Sequence, residues 1–400
     1  MRILLVQDTD WINKGPLQQN HLMEKLSLNG HQIRVIDHEI LWKEGEKRTL
    51  VSKRELFPNI SRIYDGAKVD LIRPGIIKIQ NLDYVSVFVS RKIEIERQIK
   101  EFRPDVIIGF QILSAYLGMS AANKNNIPFI YYWIDTYHSQ LPNKLFQILG
   151  KLLEQKTLKG AQRVVAINEQ LRDYVVMLGS DPQKTYINRG SVDLARFNTE
   201  IDTSEIKRKY KIKDSDKVIC FVGMIHRDLG LKEIISGISK MKNHNIKLLI
   251  VGKGDQHWPN AEEELKEAAV QFGVEDKVII PGKVSYQEVP KFMNVASICI
   301  LPAYSSDLMR DIVPIKMYEY MAMGKPVIST KLPGVFKEFK EQNGVHYVDT
   351  PDDILAKAIE LIEANKIQEE GTKARNFVAK NSWDDVVCEF DKILEDVSAT

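Results

Sequence analysis

Residues 297–330 read SICILPAYSSDLMRDIVPIKMYEYMAMGKPVIST, and they run strand, loop, helix, strand. SICILP (297–302) and PVIST (326–330) are short apolar runs rich in β-branched residues. Between them Pro314 suits a first helical turn, Met317, Met321 and Ala322 share one apolar face, and Gly324 with Pro326 stops the helix. A strand followed by a helix and a second strand is the unit of a parallel α/β sheet.

The same alternation extends in both directions. Upstream in the same half lie KVICFVG (217–223), KLLIVG (247–252) and KVIIPG (277–282), and downstream lies VHYVD (345–349). The first half offers RILLVQ (2–7), HQIRVID (31–37), DVIIGF (105–110), PFIYYW (128–133), RVVAI (163–167) and KTYIN (184–188), with helical patterns such as LQQNHLMEKLSLNG (17–30) between them. Between the halves, residues 191–216 turn polar and charged. The expectation is two doubly wound Rossmann-like α/β domains, 1–190 and 217–380, joined by a linker at 191–216 and facing a cleft at the carboxyl ends of their strands. Residues 381–400 form a last helix whose Trp383, Val387 and Phe390 stripe needs a partner, which packing back onto the first domain would provide.

Four hundred residues exceed one hydrophobic core, and 44% hydrophobic with 28% charged side chains excludes a disordered or fibrous chain. The apolar start is too short for a signal-peptide core, and no later run approaches the roughly 18 residues of a membrane span. Cys220, Cys299 and Cys388, odd in number and set among apolar residues, read as reduced core thiols. A cytoplasmic location is expected. Residues 1–190 carry 27 basic and 20 acidic side chains and the remainder 29 and 34, so the halves differ in sign. The basic half suits an anionic partner such as a phosphate or a lipid surface, and with it peripheral contact with an anionic membrane at its inner face. No basic run marks a nucleic-acid surface.

The chemistry concentrates at 307–330. A helix start aimed at the cleft offers free N–H groups and a positive dipole end, a ready phosphate site, and Lys316 adds a full charge. Glu319 one turn on, and Asp311 in the loop before, are placed to accept hydrogen bonds from sugar hydroxyls. Together these features suggest a sugar nucleotide. Gly252 and Gly254 imitate a dinucleotide fingerprint, but His257 stands where the third glycine belongs. No His/Cys cluster has metal-ligand spacing and no D-x-D pair sits in a plausible metal loop, so neither metal nor resident cofactor is expected.

The pattern P-x-K-x-x-E-x-x-A-x-G-x-P, met by Pro314, Lys316, Glu319, Ala322, Gly324 and Pro326, resembles the signature of the group 1 (family 4) retaining glycosyltransferases of GT-B architecture. Weaker likeness runs from the N-terminus through RPDVIIGF, AQRVVAINEQL, GSVDLARF, FVGMIHRDLGLKEII and KLLIVGKGD to NSWDDV. The resemblance implies hexosyl transfer with retention from a UDP- or GDP-sugar to a saccharide, lipid-linked or small-molecule acceptor, as in polysaccharide or glycolipid biosynthesis. It assigns donor-sugar contact to Asp311, one methylene shorter than the family's glutamate, and ribose contact to Glu319. Donor contacts also fall on Gly223, Arg310, Ile312, Val313, Lys316 and Lys283, the last beside backbone that meets the base. Gly15, Asp135, His138 and Arg189 fall on the acceptor or cleft side.

The chain departs from the pattern in three places. Met224 and Leu229 replace the family's Arg and Lys, leaving His226, Arg227 and Arg310 as substitute cations. The glycine pair after the first strand is reduced to Gly15 ahead of Pro16, and Ile134 stands before Asp135 where many members have histidine, with His138 as the replacement. The alternative is a non-catalytic GT-B subunit that binds a nucleotide or a partner enzyme. A second rival is a sugar-nucleotide epimerase or a phosphorylase on the same architecture; a phosphorylase would show a lysine in a recognisable pyridoxal setting, and none is found.

Overall fold

A computed structural model describes residues 1–398 apart from 15, 40–49, 80–81, 142, 242–244, 256, 307–308 and 311. Gly15 and Asp311 therefore lie outside the described residues. The chain divides into two α/β units, Met1–Gly190 with Trp383–Thr400, and Ser191–Ser382.

The first unit runs β1 (Arg2–Val6), α1 (Gln18–Leu28), β2 (Gln32–Ile36), β3 (Glu55–Ile60), β4 (Val69–Arg73), α2 (Leu82–Glu101), β5 (Val106–Phe110), α3 (Leu113–Lys124), β6 (Phe129–Trp133), α4 (Lys144–Gly160), β7 (Arg163–Ala166), α5 (Glu169–Met177) and β8 (Thr185–Ile187). Its sheet is ordered β3-β4-β2-β1-β5-β6-β7-β8. Central β1 and β6 are buried along nearly their whole length because helices cover both faces. Two strands go beyond the sequence reading. β3 pairs antiparallel at the edge, with a register shift between Phe57 and Ile60 that spans Pro58 and the left-handed Asn59. An edge is where a strand tolerates proline and a bulge.

The second unit runs α6 (Ser204–Lys209), β9 (Lys217–Val222), α7 (Leu231–Ser239), β10 (Ile246–Val251), α8 (Ala261–Gln271), β11 (Val278–Gly282), α9 (Val289–Val295), β12 (Ile298–Leu301), α10 (Ile315–Ala322), β13 (Val327–Thr330), α11 (Pro333–Phe339), β14 (Val345–Val348), α12 (Ile354–Glu363) and α13 (Ile367–Val378). Its six parallel strands are ordered β11-β10-β9-β12-β13-β14. The chain winds outward one way from β9 and the other way from β12, so these two strands flank a topological switch point. At such a point the loops leaving the carboxyl ends diverge and a ligand crevice opens.

Residues 191–216 correct the expected linker. Val192, Phe197, Ile206 and Ile212 are buried in the core of the second unit. The polar composition of this stretch hid four apolar anchors. α14 (Trp383–Ser398) belongs to the first unit, where Val387, Phe390 and Leu394 join Trp11, Leu22 and Tyr132 in one core and Trp383 stacks on His21 at 4.6 Å. Cys388 is a second correction. It lies on the outward face of α14 and is exposed, whereas Cys220 and Cys299 are buried.

Candidate nucleotide site in the second unit

At the switch point of the second unit, the strand ends present bare backbone. The Gly223 N–H donates to Val251 O and the Gly252 N–H to Gly282 O, both at 3.0 Å, which ties β9, β10 and β11 together beyond their last side chains. Gly252 has φ +153, and a Cβ there would lie 1.8 Å from the carbonyl oxygen of Gly223. Only glycine lets the two loops pass this closely.

α10 starts after extended Pro314, which has no side-chain acceptor, and among the described residues no side chain accepts from its first-turn N–H groups. Met317, Met321 and Ala322 are buried, and the helix stops at left-handed Gly324, as its sequence dictates. The first unit supplies a contrast. There Asp8 accepts from the N–H groups of Leu113 and Ser114 at 3.1 and 3.2 Å, and from the Ser114 hydroxyl at 2.7 Å. The helix start at that unit's switch point is thus occupied by the chain's own carboxylate.

Glu319 lies one turn into α10, only 3% exposed, and its carboxylate accepts from Lys316 Nζ at 2.6 Å. Burial raises its pKa, offset by the charges of Lys316 and Arg196. The Lys316 ammonium also lies 5.7 Å from the centroid of the Tyr286 ring, on whose ring the Arg196 guanidinium sits at 5.0 Å. Burial and the nearby Glu319 charge push the Tyr286 hydroxyl far up, so it remains a neutral phenol. Arg196 and Tyr286 were not legible as site residues, because tertiary folding brings them to α10 from distant loops.

Tyr320, next in sequence to Glu319, fixes the orientation of the helix. Its buried hydroxyl accepts from the Val222 N–H at 2.8 Å and donates to the Val222 carbonyl at 3.0 Å, one residue before Gly223. Tyr320→Phe should cost about 1–3 kcal/mol by stranding a buried amide. A melt of the full chain should show a Tm lower by roughly 2–12 °C, at 2–4 °C per kcal/mol. An unchanged Tm would show that the latch is not under load.

The remaining candidates are distributed as follows. Ile312 and Val313 are half-buried on the approach to α10, while Lys283 and Arg310 are exposed. In the first unit, the His138 imidazole is buried and held between Glu154 Oε2, at 2.5 Å from Nδ1, and the Tyr174 hydroxyl, at 3.3 Å from Nε2. Burial raises the pKa of Glu154, and its hydrogen bond with His138 opposes that rise. Asp135 accepts from the Thr136 N–H and from Gln140, and burial raises its pKa. Arg189 donates to the Glu169 carboxylate through both terminal guanidinium nitrogens. Among the described residues, no group of three His, Cys, Asp or Glu side chains is placed to hold a metal ion.

Family models match both parts of the chain, the glycosyl transferases group 1 model over residues 202–382 and the glycosyltransferase family 4 model over residues 20–196. The chain belongs to the group 1 glycosyltransferases. It is 26% identical over 265 residues to an uncharacterized glycosyltransferase of Methanocaldococcus jannaschii, covering 64% of each chain. It is 24% identical over 235 residues to a putative colanic acid biosynthesis glycosyltransferase of Salmonella typhimurium, covering 57% of this chain and 54% of that one. The chain thus matches less than two thirds of the length of these curated relatives. Among solved structures, Anabaena HepE in complex with UDP and glucose superposes with TM-score 0.75 at 14% identity, over 99% of this chain and 100% of that one. The sucrose-phosphate synthase of Thermosynechococcus elongatus gives 0.74 at 18%, over 100% and 99%. These likenesses show the fold, two Rossmann-like units of the GT-B architecture.

Within this member of the family, the departures from the family pattern have structural counterparts. Leu229 is buried in the core of the second unit, and Met224 is 61% exposed. Of the substitute cations, Arg227 stacks over Trp258 at 4.9 Å and faces Glu264 at 3.8 Å, so its charge is directed to α8. His226 faces Asp228 at 3.7 Å, and burial lowers its pKa. The cation that stands on α10 itself is Lys316, paired with Glu319.

Proposed function

We propose that this glycosyltransferase moves a hexosyl group from a nucleoside-diphosphate sugar, with UDP or GDP as carrier, to an acceptor hydroxyl with retention and without a metal ion. One observation carries the reading. The second unit's switch point combines a helix start with no side-chain cap among the described residues, bare glycine backbone at the strand ends and the Lys316–Glu319 pair. As the bond between the anomeric carbon and the diphosphate oxygen breaks, negative charge collects on the leaving group. The first-turn N–H groups of α10, its dipole and Lys316 are suited to stabilise that charge. The acceptor oxygen bonds to the anomeric carbon on the face the diphosphate leaves, and the acceptor proton passes to the departing diphosphate.

In this reading Glu319 accepts hydrogen bonds from the ribose and Asp311 from the donor sugar, while His138, oriented by Glu154, serves the acceptor side with Asp135 and Arg189. The relatives support a sugar acceptor or a lipid-linked one, since they include proteins named for colanic acid biosynthesis and an alpha-monoglucosyldiacylglycerol synthase. Anabaena HepE, solved with UDP-glucose, supports a uridine carrier. In this reading the reaction runs on the cytoplasmic side, in keeping with the buried, unpaired Cys220 and Cys299. The loss of both family cations, at Met224 and Leu229, favours the second reading, a non-catalytic subunit that retains nucleotide binding.

Calorimetric titration with UDP, GDP and ADP, each with and without EDTA, tests the donor site. One of the three should bind with the same affinity in both buffers, and binding of none would overturn the reading. NMR of a product formed from the matching sugar nucleotide should show the donor's anomeric configuration. Nucleotide binding with no transfer or hydrolysis would select the non-catalytic subunit.

A further inference from the structure

The apolar stripe of α4 faces the wrong way for a core helix. Leu145, Ile148, Leu149 and Leu152 follow the i, i+3, i+4, i+7 spacing of one helical face, and they are 65%, 59%, 47% and 50% exposed. The opposite face, which packs into the first unit, holds Gly150, Glu154, Thr157 and Leu158. A carboxylate and a hydroxyl are thus buried while four large aliphatic side chains stand in solvent, the reverse of what burial favours. Phe146 extends the exposed strip to the neighbouring helix through a ring contact with Tyr84 of α2 at 6.2 Å, and both rings are exposed. On α2 the strip continues through Val85 and Val89 into an apolar groove of about 470 Å3.

The charges of α4 are equally one-sided. Its single acid, Glu154, is fully buried against His138, whereas Lys144, Lys151, Lys156 and Lys159 are all exposed. Lys156 and Lys159 continue the outward face where the leucines end. An exposed face of leucines with a phenylalanine at its edge, flanked by lysines only, has the composition of a helix that lies in a bilayer interface. A second copy of the chain meeting this face about a twofold axis would bring the lysine clusters toward each other. Anionic headgroups would neutralise them. Among the described residues no helix is long and apolar enough to cross a membrane, so this is surface contact.

We propose that the outward face of α4, extended by Tyr84 of α2, docks the protein on a bilayer carrying anionic lipid, with Leu145, Ile148, Leu149 and Leu152 entering the headgroup boundary and the lysines pairing with lipid charge. This deepens the acceptor half of the reading above, because a lipid-linked acceptor is presented at such a surface. The test needs no donor, so its failure is distinct from failure to transfer sugar.

The full chain is sedimented with phosphatidylcholine vesicles, alone or mixed with phosphatidylglycerol. It should partition onto the mixed vesicles and much less onto phosphatidylcholine alone. Lys156→Gln with Lys159→Gln should lower that partition about 25-fold, at about fivefold per lysine. Leu149→Asp should abolish it, while unchanged Tm and nucleotide binding show that the fold is intact. Equal partition of the wild type and Leu149→Asp onto mixed vesicles, or no partition of the wild type, overturns the proposal. So does a dimer mass without vesicles that Leu149→Asp converts to monomer, since that assigns the face to a second copy.

Discussion

Glu319→Gln should bind the cognate nucleoside diphosphate about 10- to 150-fold more weakly than the wild type, the equivalent of 1.5–3 kcal/mol for one hydrogen bond to a charged group. Glutamine keeps the shape of the side chain and removes its charge, so the ribose contact loses its ionic acceptor and Lys316 loses its partner at 2.6 Å. Glu319→Ala adds a cavity and leaves the ammonium half-buried without its carboxylate, so it should also melt lower. The pH dependence separates these effects. Because the folded-state pKa of Glu319 lies above the ordinary 4.5, the native state holds more protons than the unfolded state between those two values. Stability from this group therefore falls as pH rises through that window, and the slope should vanish in Glu319→Gln. Calorimetry with the nucleotide, alongside melts across the acid range, reads both. Wild-type affinity and turnover in Glu319→Gln would remove Glu319 from the donor site.

The Lys316–Glu319 pair was legible because both residues lie on one helix, where i, i+3 spacing fixes their proximity before any tertiary contact forms. Arg196 and Tyr286 were not, since nothing local links them to α10. The buried strands other than β4, whose run is interrupted by Asp70, were legible for a similar reason, as β-branched runs covered on both faces need no knowledge of their neighbours. β3 failed that test because an exposed edge strand containing Pro58 has neither an apolar run nor regular pairing. The stretch 191–216 failed for the opposite reason, its few anchors being diluted by charge. Cys388 and α4 carry a common lesson. Apolar sequence context leads one to expect a covered face, and only the packing shows whether the fold covers it.

Gly252→Ala should be the most damaging single-methyl change at the site. The added Cβ would meet Gly223 O at 1.8 Å, backbone against backbone, so no rotamer change relieves the contact. Relief requires moving the ends of β9 and β10 apart, against the bonds from Gly223 N to Val251 O and from Gly252 N to Gly282 O. Backbone strain of 1–3 kcal/mol adds to the lost hydrogen bonds, for a total of about 3–5 kcal/mol. In a unit of this size the Tm should fall by about 10 °C or more, at 2–4 °C per kcal/mol. Nucleotide binding should be lost even where the protein stays folded, because the displaced carbonyls and amides form the floor beside Gly223. Gly273→Ala supplies the control. Its φ of +63 is also left-handed, but a Cβ there meets nothing within 4 Å, so only the conformational cost of about 1 kcal/mol applies and binding should persist. If both variants melt together and bind alike, the close passage of the two glycine loops is not what shapes the site.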